Sequence, residues 1–116
     1  SEMKATLNTA KEMHFDRILC AFQPHTYTRT KSLFPEFVEA LKLCDQAVLA
    51  PIYAAREQNT VGIYSTDLAK EVPGAVAFDT FAEIADYLRR EAGPNDLVLT
   101  MGAGNINEVG PMLVKG

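Results

Sequence analysis

Five apolar residues, Ile18 to Phe22, run without interruption into Gln23-Pro24, and a polar cluster follows at once: His25, Tyr27, Thr28, Arg29, Thr30 and Lys31. An unbroken apolar run of this length suits a strand covered on both faces, the usual state in a parallel sheet. Pro24 has no N–H to give to a ladder and stops the strand. Beyond the polar cluster, Leu33, Phe34, Phe37, Val38 and Leu41 recur at helical spacing. They predict a helix from about Thr30 to Leu43, with Pro35 in its first turns, where proline is tolerated. A strand, a polar loop and an amphipathic helix in this order make half of a βαβ unit. No other feature constrains the chain as much, because parallel α/β sheets bind ligands at the loops leaving the carboxyl ends of their strands. A donor-rich loop entering a helix suits an anion such as a phosphate or carboxylate.

The alternation continues along the chain. Met3, Leu7, Ala10 and Met13 mark one face of a helix over residues 2–13, and His14 sits at its end, where a cation is favourable. Ala47 to Ala50 reads as a second strand, stopped by Pro51; Ile52 to Asn59 is a loop, and Thr60 to Tyr64 a short extended piece. Ser65 or Thr66 can cap a brief helix over Asp67 to Val72, and Ala75 to Phe78 is a third strand. Thr80 and Glu83 form a capping box for a helix that buries Phe81, Ile84, Ala85 and Leu88. Asp96 to Met101 is the clearest strand, Gly102-Ala-Gly-Asn105 its exit loop, and Ile106 to Val114 a last helix that Pro111 should kink or split. The expected fold is α/β: a three-layer, mostly parallel Rossmann-like sheet of four to six strands with helices on both faces. Right-handed crossovers then place the loops after residues 22, 50 and 101 along one edge.

The chain of 116 residues reads as one domain, 1–116, and its 47% hydrophobic content is enough for a real core. A net charge of −4 argues against nonspecific nucleic-acid binding, which needs a basic face. No stretch approaches the ~20 apolar residues of a membrane span, and no signal peptide is visible. Cys20 and Cys44 have no CxxC spacing and no neighbouring histidine, so two reduced core thiols of a cytoplasmic protein are expected and no metal site. Ser1 leads straight into a helical pattern, which reads as a piece excised from a longer chain.

Three stretches carry a resemblance. Phe22-Gln-Pro-His-Thr-Tyr-Thr-Arg-Thr30, Ile52-Tyr-Ala-Ala-Arg-Glu57 and Thr100-Met-Gly-Ala-Gly-Asn-Ile106 resemble, in the same order, motifs of the Mur ligases. The match is to the C-terminal domain of the members that join L-alanine to UDP-N-acetylmuramate. The resemblance implies an ATP-dependent ligase of bacterial peptidoglycan synthesis whose N-terminal UDP-binding and central ATP-binding domains are absent from this sequence. It implies ATP and Mg2+ held mainly by that central domain, which is also the expected partner of this one, and none held by the fragment itself. It further implies His25 and Arg29 as catalytic residues, and His25, Arg29, Tyr53, Arg56 and Glu57 as substrate-binding residues. Gly102, Gly104 and Asn105 would form a loop at the cleft between domains. In the family, ATP phosphorylates the muramoyl carboxylate, and the amine of L-alanine attacks the acyl phosphate. Thr26 replaces a second arginine found in many members, and Pro51 a residue that is often acidic. Ser1-Glu2-Met3 resembles the tail of an Asp-Tyr-x-His-x-Pro motif that touches nucleotide and substrate.

From spacing alone, His25 and Arg29 would read as a capping histidine and a solvated arginine; the resemblance reverses that. Tyr53, Arg56 and Glu57 could equally be a surface aromatic and an ion pair worth little. The Gly102 loop lacks the third glycine of a dinucleotide fingerprint and follows the last strand, so NAD binding is rejected. Two rivals stand beside the ligase domain. One is the related ligase that recycles muramyl peptides. The other is a stand-alone Rossmann- or flavodoxin-like small-anion module, such as a receiver, for which Asp79 is well placed but the acidic pair after the first strand is missing.

Overall fold

The computed structural model describes residues 2–102 and 105–115. Four parallel strands form one sheet in the order β3-β2-β1-β4, with β1 at Ile18–Gln23, β2 at Gln46–Leu49, β3 at Val76–Ala77 and β4 at Leu97–Gly102. The helices are α1 (Glu2–Glu12), α2 (Tyr27–Ser32), α3 (Phe34–Leu41), α4 (Ser65–Glu71), α5 (Phe81–Glu91) and α6 (Val109–Lys115). A 3-10 turn at Ile106–Glu108 precedes α6.

Every residue of β1 is buried, which explains its unbroken apolar run. Side chains alternate across a strand. Ile18, Cys20 and Phe22 enter a cluster with Leu7 of α1, Leu41 of α3 and Leu68 of α4. Leu19 and Ala21 enter a second cluster with Ile84 and Leu88 of α5 and Val109 of α6. The molecule therefore has three layers, with α1, α3 and α4 on one face and α5 and α6 on the other.

Charged groups fix the amino ends of the strands. The Asp45 carboxylate accepts the Ile18 N–H at 2.7 Å. Arg17 donates to Asp96 from Nη2 at 2.9 Å and Nε at 3.2 Å, and the Gly93 N–H reaches the same Asp96 oxygen at 2.7 Å. The Gly93 N–H first, then Arg17, hold the Asp96 carboxyl below the usual carboxylate range.

Several boundaries differ from the sequence expectations. The single helix expected from Thr30 to Leu43 is two, starting earlier at Tyr27 and interrupted at Leu33. Pro35 lies within the first two residues of α3, so proline ends one helix and opens another. Residues 60–64 form no strand: Asn59 loops back through its side chain, which bonds both the N–H and the carbonyl of Ile63. The cap of α4 is Tyr64, whose N–H is taken by Asp67 at 2.8 Å, while the Ser65 hydroxyl turns inward to the Ala50 carbonyl. The last helix is split, as expected near Pro111, but the break falls before Val109 and leaves Pro111 in the first turn of α6. Half of the Thr80–Glu83 box forms as read: the Glu83 N–H donates to Thr80 Oγ1 at 3.1 Å, while the Glu83 carboxylate accepts the Thr80 hydroxyl at 3.0 Å in place of the Thr80 N–H. His14 follows α1 in the left-handed region, with φ 61°.

Gly102 closes β4 with φ 106°, and a Cβ there would run into the backbone carbonyl of Gln23. The ends of β1 and β4 can come together only because that position lacks a side chain. Gly102→Ala should lower unfolding free energy by about 3 kcal/mol, combining left-handed strain with overpacking against a rigid backbone. Denaturant unfolding measures this, and a loss under ~0.5 kcal/mol would mean that the two strand ends are free to separate.

Candidate functional site

The exits of β1 and β2 are laced together. The ladder continues past the strands as a bridge between His25 and Tyr53, in which the Thr26 N–H donates to the Tyr53 carbonyl at 2.8 Å and the Tyr53 N–H to the Pro24 carbonyl at 2.9 Å. The His25 and Tyr53 rings stack with centroids 5.8 Å apart and planes 16° from parallel. Below them Gln23, itself buried, donates from Nε2 to the Pro51 carbonyl at 3.0 Å. Its Oε1 has no hydrogen-bond partner among the described residues.

Two loops carry strain that this lacing holds in place. Thr26 has φ 60°, unusual for a β-branched residue, and caps α2 by accepting the Arg29 N–H on Oγ1 at 3.3 Å. The Thr30 hydroxyl, buried, donates to the Thr26 carbonyl at 2.6 Å. Ala55 and Arg56 are both left-handed, with φ 49° and 75°, in a tight turn closed by the Glu57 N–H on the Ala54 carbonyl at 2.9 Å. Two such residues in succession cost roughly 1–2 kcal/mol each, so something must compel the turn.

Glu57 does so. One of its carboxylate oxygens accepts the N–H of Tyr27 at 2.8 Å and of Thr28 at 3.2 Å, and the other accepts the Thr28 hydroxyl at 2.6 Å. The first amides of α2, where sequence reasoning places an external anion, are thus occupied by an anion of the chain itself. The Thr28 hydroxyl above all, then the Thr28 and Tyr27 amides and the charge of His25, hold the Glu57 carboxyl below its ordinary range.

With its N-terminus satisfied, α2 presents Arg29 outward. The guanidinium is exposed, and among the described residues no carboxylate lies within ion-pair distance of it. His25 and Arg29 share the wall of an open cavity of about 700 Å3 with Gln23, Phe37, Met101 and Gly102. The exits of β1 and β4 therefore meet at one place, and the exit of β2 joins through Tyr53 and Glu57. Arg56 is exposed on its turn and does not line this cavity. Asn105 is exposed and opens the 3-10 turn, its carbonyl accepting the Glu108 N–H at 2.9 Å. Gly104 lies outside the described residues.

Sequence reasoning missed Gln23 and the capping role of Thr26. The second was findable, since a threonine just before a helix start is a capping signal. The engagement of Glu57 across 29 and 30 positions had no local signal. It has a measurable consequence. The folded-state value of Glu57 lies below the unfolded one, so its contribution is complete above the ordinary glutamate value, ~4.3, and fades as pH falls through the lower folded value. Glu57→Ala should lower Tm at pH 7, and the gap from the parent chain should narrow as pH falls below ~4.3. A gap that stays constant with pH would remove the carboxylate from the α2 N-terminus.

Residues 1–104 match the family described as Mur ligase, glutamate ligase domain. The chain is 48% identical over 120 residues to the UDP-N-acetylmuramate–L-alanine ligase of Clostridium tetani, covering 99% of this chain and 26% of that protein. It is 44% identical over 119 residues to the enzyme of the same name from Acetivibrio thermocellus, covering 99% and 25%. It thus spans about a quarter of the length of these relatives. The fold is similar, with a TM-score of 0.70 and 18% identity, to a crystallised domain of a Haemophilus ducreyi protein described as a UDP-N-acetylmuramate:L-alanyl-gamma-D-glutamyl-medo-diaminopimelate ligase. That likeness covers 98% of this chain and 80% of the other. By its strand-exit motifs, their meeting on one sheet edge and this match over most of its length, the chain belongs to the Mur ligase family.

Proposed function

We propose that this chain is the C-terminal domain of a cytoplasmic UDP-N-acetylmuramate–L-alanine ligase, closing over a cleft whose other wall is a central ATP-binding domain of the same polypeptide. One observation carries the reading: an exposed Arg29, without an ion-pair partner among the described residues, stands beside His25 on a cavity at the carboxyl ends of the strands. The relatives that share this chain's length of sequence at 44–48% identity are named for that reaction. The neighbour with the muramyl-peptide name is 18% identical and supports the fold alone.

Joining a carboxylate to an amine in water requires an activated carboxyl, which ATP and Mg2+ supply in such ligases. The described residues do not fit that pair. No cluster of three or more His, Cys, Asp or Glu among them could hold a metal, and the α2 amides that could cradle a phosphate are held by Glu57. No step through ATP or the metal is assigned to this domain.

What the domain does offer is a cation held ready. Arg29 presents a planar fork suited to two parallel hydrogen bonds with carboxylate or phosphoryl oxygens of the muramate or alanine substrate. His25 is held by its stack on Tyr53, so both groups approach substrate in a fixed relation. Glu57 acts through α2, setting the direction of its first turn. Tyr53, stacked on His25, and Arg56, on the exit loop of β2, would meet substrate or the central domain on closure, as would Gly102 in the cavity wall and Asn105 after it. Closure would also exclude the water that destroys an activated acyl group.

In the longer protein, Arg29→Ala should lower kcat/KM by roughly 2–4 kcal/mol, about 30- to 1,000-fold, the range for losing one preorganised charge donor. Lys at the same position should recover only part of this, since a point charge cannot replace the fork. An unchanged value in Arg29→Ala would remove Arg29 from the site. The 116 residues alone should show no ATP- and alanine-dependent ligation; activity from them would overturn the division between domains.

A further inference from the structure

We propose that Cys44 and Cys20 are a thiol-modification site: Cys44 attacks an incoming disulfide, and Cys20 resolves the product into an internal bond. The proposal stands apart from the enzymatic reading and rests on where the sulfurs lie.

Both cysteines are free, Cys20 buried in β1 and Cys44 half-buried in the bend between α3 and β2. They are distant in sequence, and the start of β1 brings them together. Asp45, next to Cys44, is tied twice to Ile18: its N–H donates to the Ile18 carbonyl at 2.9 Å, and its carboxylate accepts the Ile18 N–H at 2.7 Å. Ile18 and Cys20 share one face of β1, and Cys44 packs against the cluster that they enter. A third sulfur joins the group, since Cys20 Sγ lies 3.5 Å from Met101 Sδ. Cys44 is held from its other side, its N–H and its Sγ both reaching the Leu41 carbonyl, at 3.3 Å and 3.0 Å.

The two thiols are not equivalent. A hydrogen bond from Cys20 first, then the amides of Cys44 and Gln46, hold the Cys44 thiol below its usual range against burial and the charge of Asp45. The same hydrogen bond, with burial and the Cys44 charge, pushes Cys20 well above it. A partly exposed thiol inclined to ionise is the reactive kind, and a neighbouring thiol lets it close a reversible bond. Cys44 also lies at the amino ends of the strands, away from the edge where His25 and Arg29 line the cavity.

The oxidant is a small organic disulfide. Cys44 gives its proton to solvent, and its thiolate attacks one sulfur of the reagent. A Cys44–S bond forms, the S–S bond of the reagent breaks, and the released thiolate takes up a proton. Cys44 no longer carries a charge, so of the groups that raise Cys20 only burial remains. Cys20 then loses its proton to solvent, attacks Cys44 Sγ and expels the second thiolate, which is protonated like the first. The pair gives up two electrons, and the reagent gains them as two thiols. The new bond ties the end of α3 to β1, and in a reducing compartment it is transient.

Trypsin cuts after Arg17, Arg29, Lys42 and Arg56, so the two cysteines fall in separate peptides, residues 18–29 and 43–56. The folded longer protein is treated with hydroxyethyl disulfide, blocked with N-ethylmaleimide, digested and read by mass spectrometry before and after reduction. The two peptides should appear joined, and Cys20→Ala should leave Cys44 carrying one mercaptoethanol. In Cys44→Ala, Cys20 should react at least about tenfold more slowly than the joined pair forms in the parent. Peptides that stay unmodified in the folded protein yet react once it is unfolded in denaturant would overturn the proposal. A lasting adduct on Cys44 without joining would do the same, as would a Cys20 that reacts equally fast without Cys44. A bond from either peptide to any other cysteine would also overturn it.

Discussion

Three hydrogen bonds accepted by one carboxylate hold the candidate site together. Glu57 reaches back from the exit of β2 to the first amides of α2 and the Thr28 hydroxyl. Without it, α2 would begin on unsatisfied donors, and the turn at Ala55-Arg56 would have no reason to keep two left-handed residues. With it, the helix that carries Arg29 is fixed against the loop that carries Tyr53. The strain in the loops is thus offset by a charge-assisted contact across the strand exits, a common arrangement where geometry matters more than stability.

The rest of the fold serves to bring those exits together. A parallel sheet sends every strand in one direction, so the loops after β1, β2 and β4 emerge at one edge. Burying β1 on both faces sets its composition, and Pro24 sets where it stops. Gly102 lets β4 end against the backbone of Gln23, which closes the third side of the cavity. Leu19 and Cys20, although not in the cavity wall, matter here because they hold β1 between two layers at a fixed height.

Most of this architecture was legible in the residues. Apolar runs named β1, β2 and β4, the Thr80–Glu83 box named the start of α5, and the strand-helix alternation named the layers. The errors have physical causes. Leu33 to Phe37 kept a helical period on both sides of a break, so periodicity could not see that Pro35 opened a second helix. The extended look of Thr60 to Tyr64 gave way to an asparagine side chain that bonds its own loop. At the candidate site, the motifs singled out His25, Arg29, Tyr53 and Glu57, but not that His25 would stack on Tyr53 or that Glu57 would hold the first amides of α2. A contact between Glu57 and Tyr27 depends on where two strands end in space, and no local pattern records that.

A double-mutant cycle of Thr28→Val and Glu57→Ala, read by denaturant unfolding at neutral pH, tests the central claim most directly. The account predicts that the two losses do not add, because each substitution breaks the same hydroxyl-to-carboxylate bond. Fully additive losses would contradict it, and the loop of β2 would then stand independent of α2.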